Sequence, residues 1–309
     1  MRVIHTRKRV FNEDFAFQNK FTLLVWVLSI LKWKELGYEA VLYTDKITLE
    51  KIKEIGFDTL YDEINSTYLE DEEVCKGIDF YCYWAMPKLL ALKYEALTLN
   101  NDVVIADTDV VPLQDISRLW TNSDVAVWSN KEHVEIRACY PHLYELSLPK
   151  GYKLPDWFTG TAKPLNTGII HIKDKKIIDL YTSEAIKMAK DNHNEHKNSK
   201  CQTMVNAEQR LLGEIVKYKG LTYSVMQPVN EGLFNKNGFH THGYKTIINN
   251  DNGMKWHLNL LQMIKESDEN YFNILINYPF FVEEKIFFSQ PNYILPEVEP
   301  LQKYLKTFN

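Results

Sequence analysis

The sequence predicts an α/β fold with a mostly parallel central sheet and helices on both faces. Three observations carry this reading. Short β-rich runs alternate with segments of helical length through the first third of the chain. A helical segment separates one run from the next, as parallel strands require. Two of the runs, "AVLYTD" and "VVIAD", end on an aspartate, where the ligand crevice of such a sheet lies.

Taken in order, "RVIHT" (2–6) is a first strand, and residues 19–36 have the length and apolar spacing of a helix. "AVLYTD" (40–45) is a second strand, and "TLEKIKEIG" (48–56) is a helix closed by Gly56. "YWAMPKLLALKYEAL" (83–97) is helical and leads through "NND" into the strand "VVIAD" (103–107). "DVAVW" (124–128) and "TGIIHI" (167–172) follow as strands, with helices over 177–190 and in "NAEQRLLGEIVKY" (206–218). The polar stretch 190–200 between those helices is expected to be a mobile loop. No internal repeat and no Pro/Gly/Ser-rich linker divides the chain.

The chain has 309 residues, 45% of them hydrophobic and 25% charged, which is enough for a sizeable core. A formal net charge of −5 supplies no basic field for nucleic acid or an anionic membrane, so no nucleic-acid partner is expected and at most a peripheral membrane contact. Cys75, Cys82, Cys139 and Cys201 form no C-x-x-C pair and read as reduced thiols. The N-terminal residues carry no signal-peptide pattern. The longest apolar run, Phe21 to Leu31, is about half of the roughly 20 residues that a membrane span needs, so it reads as a buried helix. A cytoplasmic protein is expected.

The stretch "VVIADTDVVP" (103–112) drives a hydrophobic strand into two carboxylates one residue apart. Residues i and i+2 of an extended segment share a face, so Asp107 and Asp109 can converge on one point. Two carboxylates that close disfavour each other's charge unless a cation lies between them. Mn²⁺ or Mg²⁺ meets that need, because oxygen ligands suit hard divalent ions. One Asp-x-Asp is about what chance supplies in a chain of this composition, but chance copies belong in polar loops rather than at the mouth of a buried strand.

Two enzyme classes place Asp-x-Asp after such a strand. The D-x-D-x-[TV] pattern of haloacid-dehalogenase-like phosphatases is met by Asp107 to Val111, with Asp107 as nucleophile, but that motif follows a first strand and needs a downstream acidic pair that this sequence lacks. The order "WAMPKLLALKYEAL", "NNDVVIADTDVVP", "PLNTGIIHIKD", "AEQRLLGEI", "FHTHGYKT" resembles the layout of GT-A nucleotide-sugar glycosyltransferases, including the glycogenin-like and capsular polysaccharide families. The matches cover residues 80–245.

The resemblance implies a Rossmann-like α/β/α sandwich of GT-A type, one domain over 1–309, with a nucleotide-binding half (1–130) and an acceptor half with an aromatic extension (131–309). It implies transfer of a sugar from a nucleotide-diphosphate sugar, UDP-sugar favoured, to a glycan or other hydroxyl acceptor, as in bacterial surface polysaccharide synthesis. No carboxylate stands out as a dedicated base, which favours a retaining reaction; Asp156, Glu208 and Glu231 keep the inverting one open. Asp107 and Asp109 would bind the metal, with His240, His242 or His257 completing its shell. Lys88 and Lys245 would meet the diphosphate, and Asn166 the donor sugar, with Gly168 allowing close backbone approach. Glu208, beside Gln209, stands where the family usually has Asp and would face the donor or the acceptor. The strand tips His5, Thr6, Thr44 and Asp45 would cradle base and ribose. The aromatic stretch 270–295 is expected to pack as core, with a sugar-stacking groove as the other use. A degenerate nucleotide-sugar or glycan-binding module is the non-enzymatic alternative.

Overall fold

The computed structural model describes residues 1–9, 17, 19–130, 140, 142–146, 148–192, 204–227, 234–235, 237–241 and 253–298. Strand β1 (Arg2–Arg7), β2 (Glu39–Thr44), β3 (Glu63–Asn65) and β4 (Val103–Ala106) are mutually parallel. β5 (Val110–Pro112) leaves that sheet, and β6 (Val125–Ser129), β7 (Asn166–Ile172) and β8 (Tyr223–Val225) complete it. The seven strands run in the order β3-β2-β1-β4-β7-β6-β8. β7 alone is antiparallel to its neighbours, a reversal that its apolar run did not reveal. β5 pairs instead with β10 (Gly238–His240), and β10 with β9 (Phe234–Asn235), in a small antiparallel sheet.

The central strands read as continuous apolar runs because both faces are covered. Val104 and Ala106 point into one core and Val103 and Ile105 into the other. Helix α1 (Lys20–Glu35), capped by the Asn19 side chain on Thr22 N–H, lies in the first core and is buried continuously from Phe21 to Leu31. Helix α2 (Lys46–Ile55) closes at Gly56, whose φ of 88° is the left-handed conformation that ends helices. Helix α3 (Met86–Lys93), with Pro87 in its first turn, belongs to the second core. It is shorter than the sequence predicts: residue 83 is irregular, residues 84–85 are turn, and Tyr94–Thr98 continue as one π-helical turn. Inside that turn buried Glu95 accepts from Arg2 (2.8 Å), Tyr43 (2.7 Å) and Asn101 (2.7 Å), so a charged side chain sits in the core with every oxygen occupied.

Helices α4 (Lys175–Ala189) and α5 (Leu211–Lys219) pack on the second core. Helices α6 (Gly253–Ser267), α7 (Glu269–Asn277) and α8 (Val282–Phe288) cover α1, with Trp256 edge-to-face on Phe21 at 5.8 Å. Phe272 and Phe281 are buried in that layer, so the aromatic C-terminal stretch contributes to the core as expected. Among the described residues no helix is long and apolar enough to cross a membrane. Cys75 and Cys82 are free thiols; Cys139 and Cys201 lie outside the described residues.

The topology fixes where a ligand belongs. From β1 the chain builds outward through β2 and β3, then returns to the other side of β1 with β4. The order reverses between β1 and β4, and the crevice of an open α/β sheet opens outside the carboxyl ends of its strands at that point. Asp107 is the residue after β4.

Candidate functional site

Three backbone hydrogen bonds shape the turn that follows β4. Asp107 N–H donates to Gly168 O (2.8 Å), Val110 N–H to Asp107 O (3.0 Å) and Thr241 N–H to Asp109 O (3.2 Å). The second makes the tight turn that carries the chain from β4 into β5, and the third belongs to the β5–β10 ladder, where His240 stands opposite Val110. A histidine far away in sequence is thereby brought onto the carboxylate pair.

His240 Nε2 lies 3.3 Å from Asp109 Oδ1 and 4.0 Å from Asp107 Oδ2. One ligand atom from each of Asp107, Asp109 and His240 fits within 4.8 Å of the others. Asp109 and His240 are buried, while the Asp107 side chain is 34% exposed. The imidazole is wedged edge-on against Trp128 (5.3 Å, 79°) and over Gly168. A Cβ on Gly168 would stand 2.8 Å from His240 Cε1 and 3.1 Å from Asn166 Oδ1, so this position needs glycine for a close approach rather than for backbone freedom.

Lys88 fixes the other side. From α3 its ammonium donates to Asp107 Oδ1 (3.0 Å) and to the Thr167 carbonyl (3.1 Å), and it contacts Glu208. Asp107 therefore has one oxygen tied to Lys88 and the other turned toward His240. Burial alone would lower the Lys88 pKa, but Asp107 and Glu208 more than reverse this and hold the ammonium charged. Glu208, in the π-helical turn Asn206–Arg210 that leads into α5, responds the opposite way: burial pushes its carboxyl above the ordinary 4.5, and Lys88 only partly offsets it. Asp107 and Glu208 share one lysine, and Asp109 lies beside them against His240; such an excess of carboxylate over cation favours a bound metal ion.

The donor set fits a hard divalent ion. Two carboxylate oxygens and one imidazole nitrogen leave coordination positions open for water or phosphate oxygens, as Mg²⁺ and Mn²⁺ require. His257 does not belong to it: its Nδ1 bonds Glu284 Oε1 at 3.0 Å beneath α8. His242 and Lys245 lie outside the described residues.

The remaining expected residues are distributed as follows. Asn166 Oδ1 accepts from Gly168 N–H (2.9 Å) and borders the imidazole. His5 turns into the core, 1% exposed, with Tyr61 and Ser29 at its nitrogens, so it presents no face to the crevice. Thr6, next along β1, is half-buried. Asp45 caps α2 by accepting from Thr48 N–H (2.8 Å) and takes Arg9 N–H on its other oxygen (2.6 Å). Thr44 is buried. Gln209 accepts from Tyr140. Sequence reasoning missed the wall formed by Trp128 and the buried residues behind the turn.

Fold and cluster together define an α/β protein with a candidate divalent-cation site at the switch point of its sheet. The chain belongs to a family of unknown function, DUF6734, whose model matches residues 3–275. No curated protein matches it in sequence. Among solved structures it is similar to the PaToxG glycosyltransferase, at 11% identity and a TM-score of 0.36 over 92% of this chain and 82% of the other. It is also similar to mouse xyloside xylosyltransferase 1 in its apo form, at 12% identity and a TM-score of 0.36 over 68% of this chain and 82% of the other. The functional reading rests on the site.

Proposed function

We propose that this protein is a metal-dependent glycosyltransferase that moves a sugar from a nucleotide-diphosphate sugar, UDP-sugar favoured, to a glycan hydroxyl. The observation that carries the reading is the arrival of His240 from β10 on the carboxylates of the β4 turn, beside the switch-point crevice. Asp107, Asp109 and His240 would hold Mn²⁺ or Mg²⁺. When bound, the cation supplies Lewis-acid stabilisation of the charge that builds on a departing diphosphate.

The chain's own residues do the rest. Asp109 and His240, both buried, form the fixed part of the site; Asp107 is its solvent-facing arm. Lys88 sets the rotamer of Asp107 and stands where a phosphate oxygen would find a second positive charge. Asn166 borders the pocket from β7, next to the glycine that lets ligand and backbone approach. Glu208 is tied to Lys88 rather than free to take a proton from an acceptor, which supports retention of anomeric configuration over inversion. The phosphatase alternative has less support, because Asp109, which would be its acid, is buried against His240.

A ligand that binds the native state raises its melting temperature by mass action. UDP or GDP is expected to raise the melting temperature with Mn²⁺ present and to leave it unchanged in EDTA. No shift with any nucleoside diphosphate under either condition would overturn the proposal.

A further inference from the structure

Behind the β4 turn, the otherwise apolar core around α1 contains four polar side chains in a line. Trp26 Nε1 lies 2.6 Å from Tyr61 Oη, Tyr61 Oη 3.0 Å from His5 Nδ1, His5 Nε2 3.4 Å from Ser29 Oγ, and Ser29 Oγ 2.6 Å from the Val110 carbonyl. All are buried, from 0% to 7% exposed.

The two ends fix the direction of every bond. An indole N–H only donates and a carbonyl only accepts. Trp26 therefore donates to Tyr61, and Ser29 donates its single proton to Val110. Ser29 has only lone pairs left for His5, so His5 donates through Nε2–H, and a neutral ring then accepts from Tyr61 at Nδ1. That is the neutral Nε2–H tautomer. Burial agrees: it pushes the imidazole down to about 3, with Asp109 opposing, and it raises the Tyr61 phenol so that the donor proton stays in place.

The far end of this chain explains its presence. Val110 and His240 form a non-hydrogen-bonded pair in the β5–β10 ladder, since the bond nearest them runs from Thr241 N–H to Asp109 O. Among the described residues β5 has no strand on its other side, so the outward Val110 carbonyl would be a buried acceptor without a sheet partner. Ser29 supplies the donor. A buried serine in mid-helix usually bonds back to its own helix; this one reaches across to the residue after Asp109.

We propose that Trp26, Tyr61, His5 and Ser29 are positioning residues that clamp the 107–110 turn through the Val110 carbonyl and so hold Asp107 and Asp109 in register with His240 for the cation. This rests on the reading of that cluster as a divalent-cation site. None of the four is among the three residues that would hold the ion.

The test is Mn²⁺ binding to the full chain, followed by electron paramagnetic resonance at a temperature where each variant is folded. Ser29→Ala, which removes the clamp without changing shape, is expected to weaken Mn²⁺ binding about tenfold, in the range of lost outer-shell contacts. Ser29→Thr, which keeps a hydroxyl, is expected to restore most of it. Thr182→Val, which removes a buried hydroxyl bonded to Ile178 O in α4, is expected to cost stability and leave Mn²⁺ binding intact. Equal Mn²⁺ affinity in wild type and Ser29→Ala would overturn the positioning role alone; a wild type that binds no Mn²⁺ would overturn the site reading and this inference with it. If Ser29→Ala does not fold, nitrogen NMR of His5 in the wild type decides: the Nε2–H tautomer is required, and a proton on Nδ1 would overturn the chain.

Discussion

Under the C-terminal helices, Glu284 accepts from His257 at 3.0 Å and from Lys20 at 3.0 Å on each oxygen. At the carboxyl edge of the sheet, Lys88 is divided between Asp107 and Glu208, with Asp109 and His240 beside them. Both clusters combine buried carboxylate, lysine and histidine, and both glutamates are almost fully buried. Their acids shift in opposite directions. Burial would raise Glu284, but the bonds from His257 and Lys20 outweigh it and hold the carboxyl below 4.5, whereas Glu208 stays above it. One cluster has a donor for every oxygen; the other has more acid than base. Residue type does not separate a structural ion pair from a ligand site here, and the balance of charge does.

Four variants test that contrast. Asp109→Asn has the largest expected effect, a loss of about 10³-fold in transferase activity, the scale of removing one preorganised electrostatic contact, together with loss of Mn²⁺ binding. Its melting temperature in EDTA is expected to hold or rise, because one of two neighbouring carboxylates is removed. A fall in stability with Mn²⁺ binding intact would place Asp109 among the structural groups.

Gly168→Ala pushes a methyl against the imidazole and is expected to weaken Mn²⁺ binding by about 10- to 100-fold, at a stability cost of about 1–3 kcal/mol. Calorimetric titration and thermal melting read the two effects separately. Unchanged binding would mean that His240 is not a ligand.

The C-terminal cluster should behave in the reverse way. His257→Ala leaves Glu284 a donor short and is expected to cost about 2 kcal/mol in denaturant unfolding, with Mn²⁺ affinity unchanged. The smallest effect is one of pH. The folded pKa of Glu284 is depressed, so the stability it contributes is complete above 4.5 and is lost as pH falls through the lowered value. Wild-type stability is expected to fall more steeply as pH drops below 4.5 than that of Glu284→Gln, as read by melting temperature; parallel curves would contradict the assignment.

The parallel strands were legible because burial on both faces writes them as unbroken apolar runs, and Asp107 and Asp109 were legible because such a run ended on them. Gly56 marked the end of α2 for a local reason, its positive φ. The reversal of β7 was not legible, since "NTGIIHI" is equally apolar in either direction. Nor was the pairing of β5 with β10: each is three residues long, too short for an alternation pattern, yet that pairing singles out His240 from His257. His5 and Asp45 stand at strand tips, as expected, but a tip position does not say which way the side chain turns, and both are engaged inside the fold. The π-helical turn that carries Glu208 leaves no mark in a helical pattern.

Under the proposed function Asp107, Asp109 and His240 bind one divalent cation beside a diphosphate. Anomalous diffraction at the manganese edge from crystals grown with MnCl₂ and UDP tests it directly. One peak at about 2.1 Å, the distance of a hard ion from its ligands, from Asp109 Oδ1 and His240 Nε2, with UDP phosphate oxygens completing the shell, is the predicted result. A manganese peak elsewhere, or UDP bound with no metal between these three side chains, would contradict it.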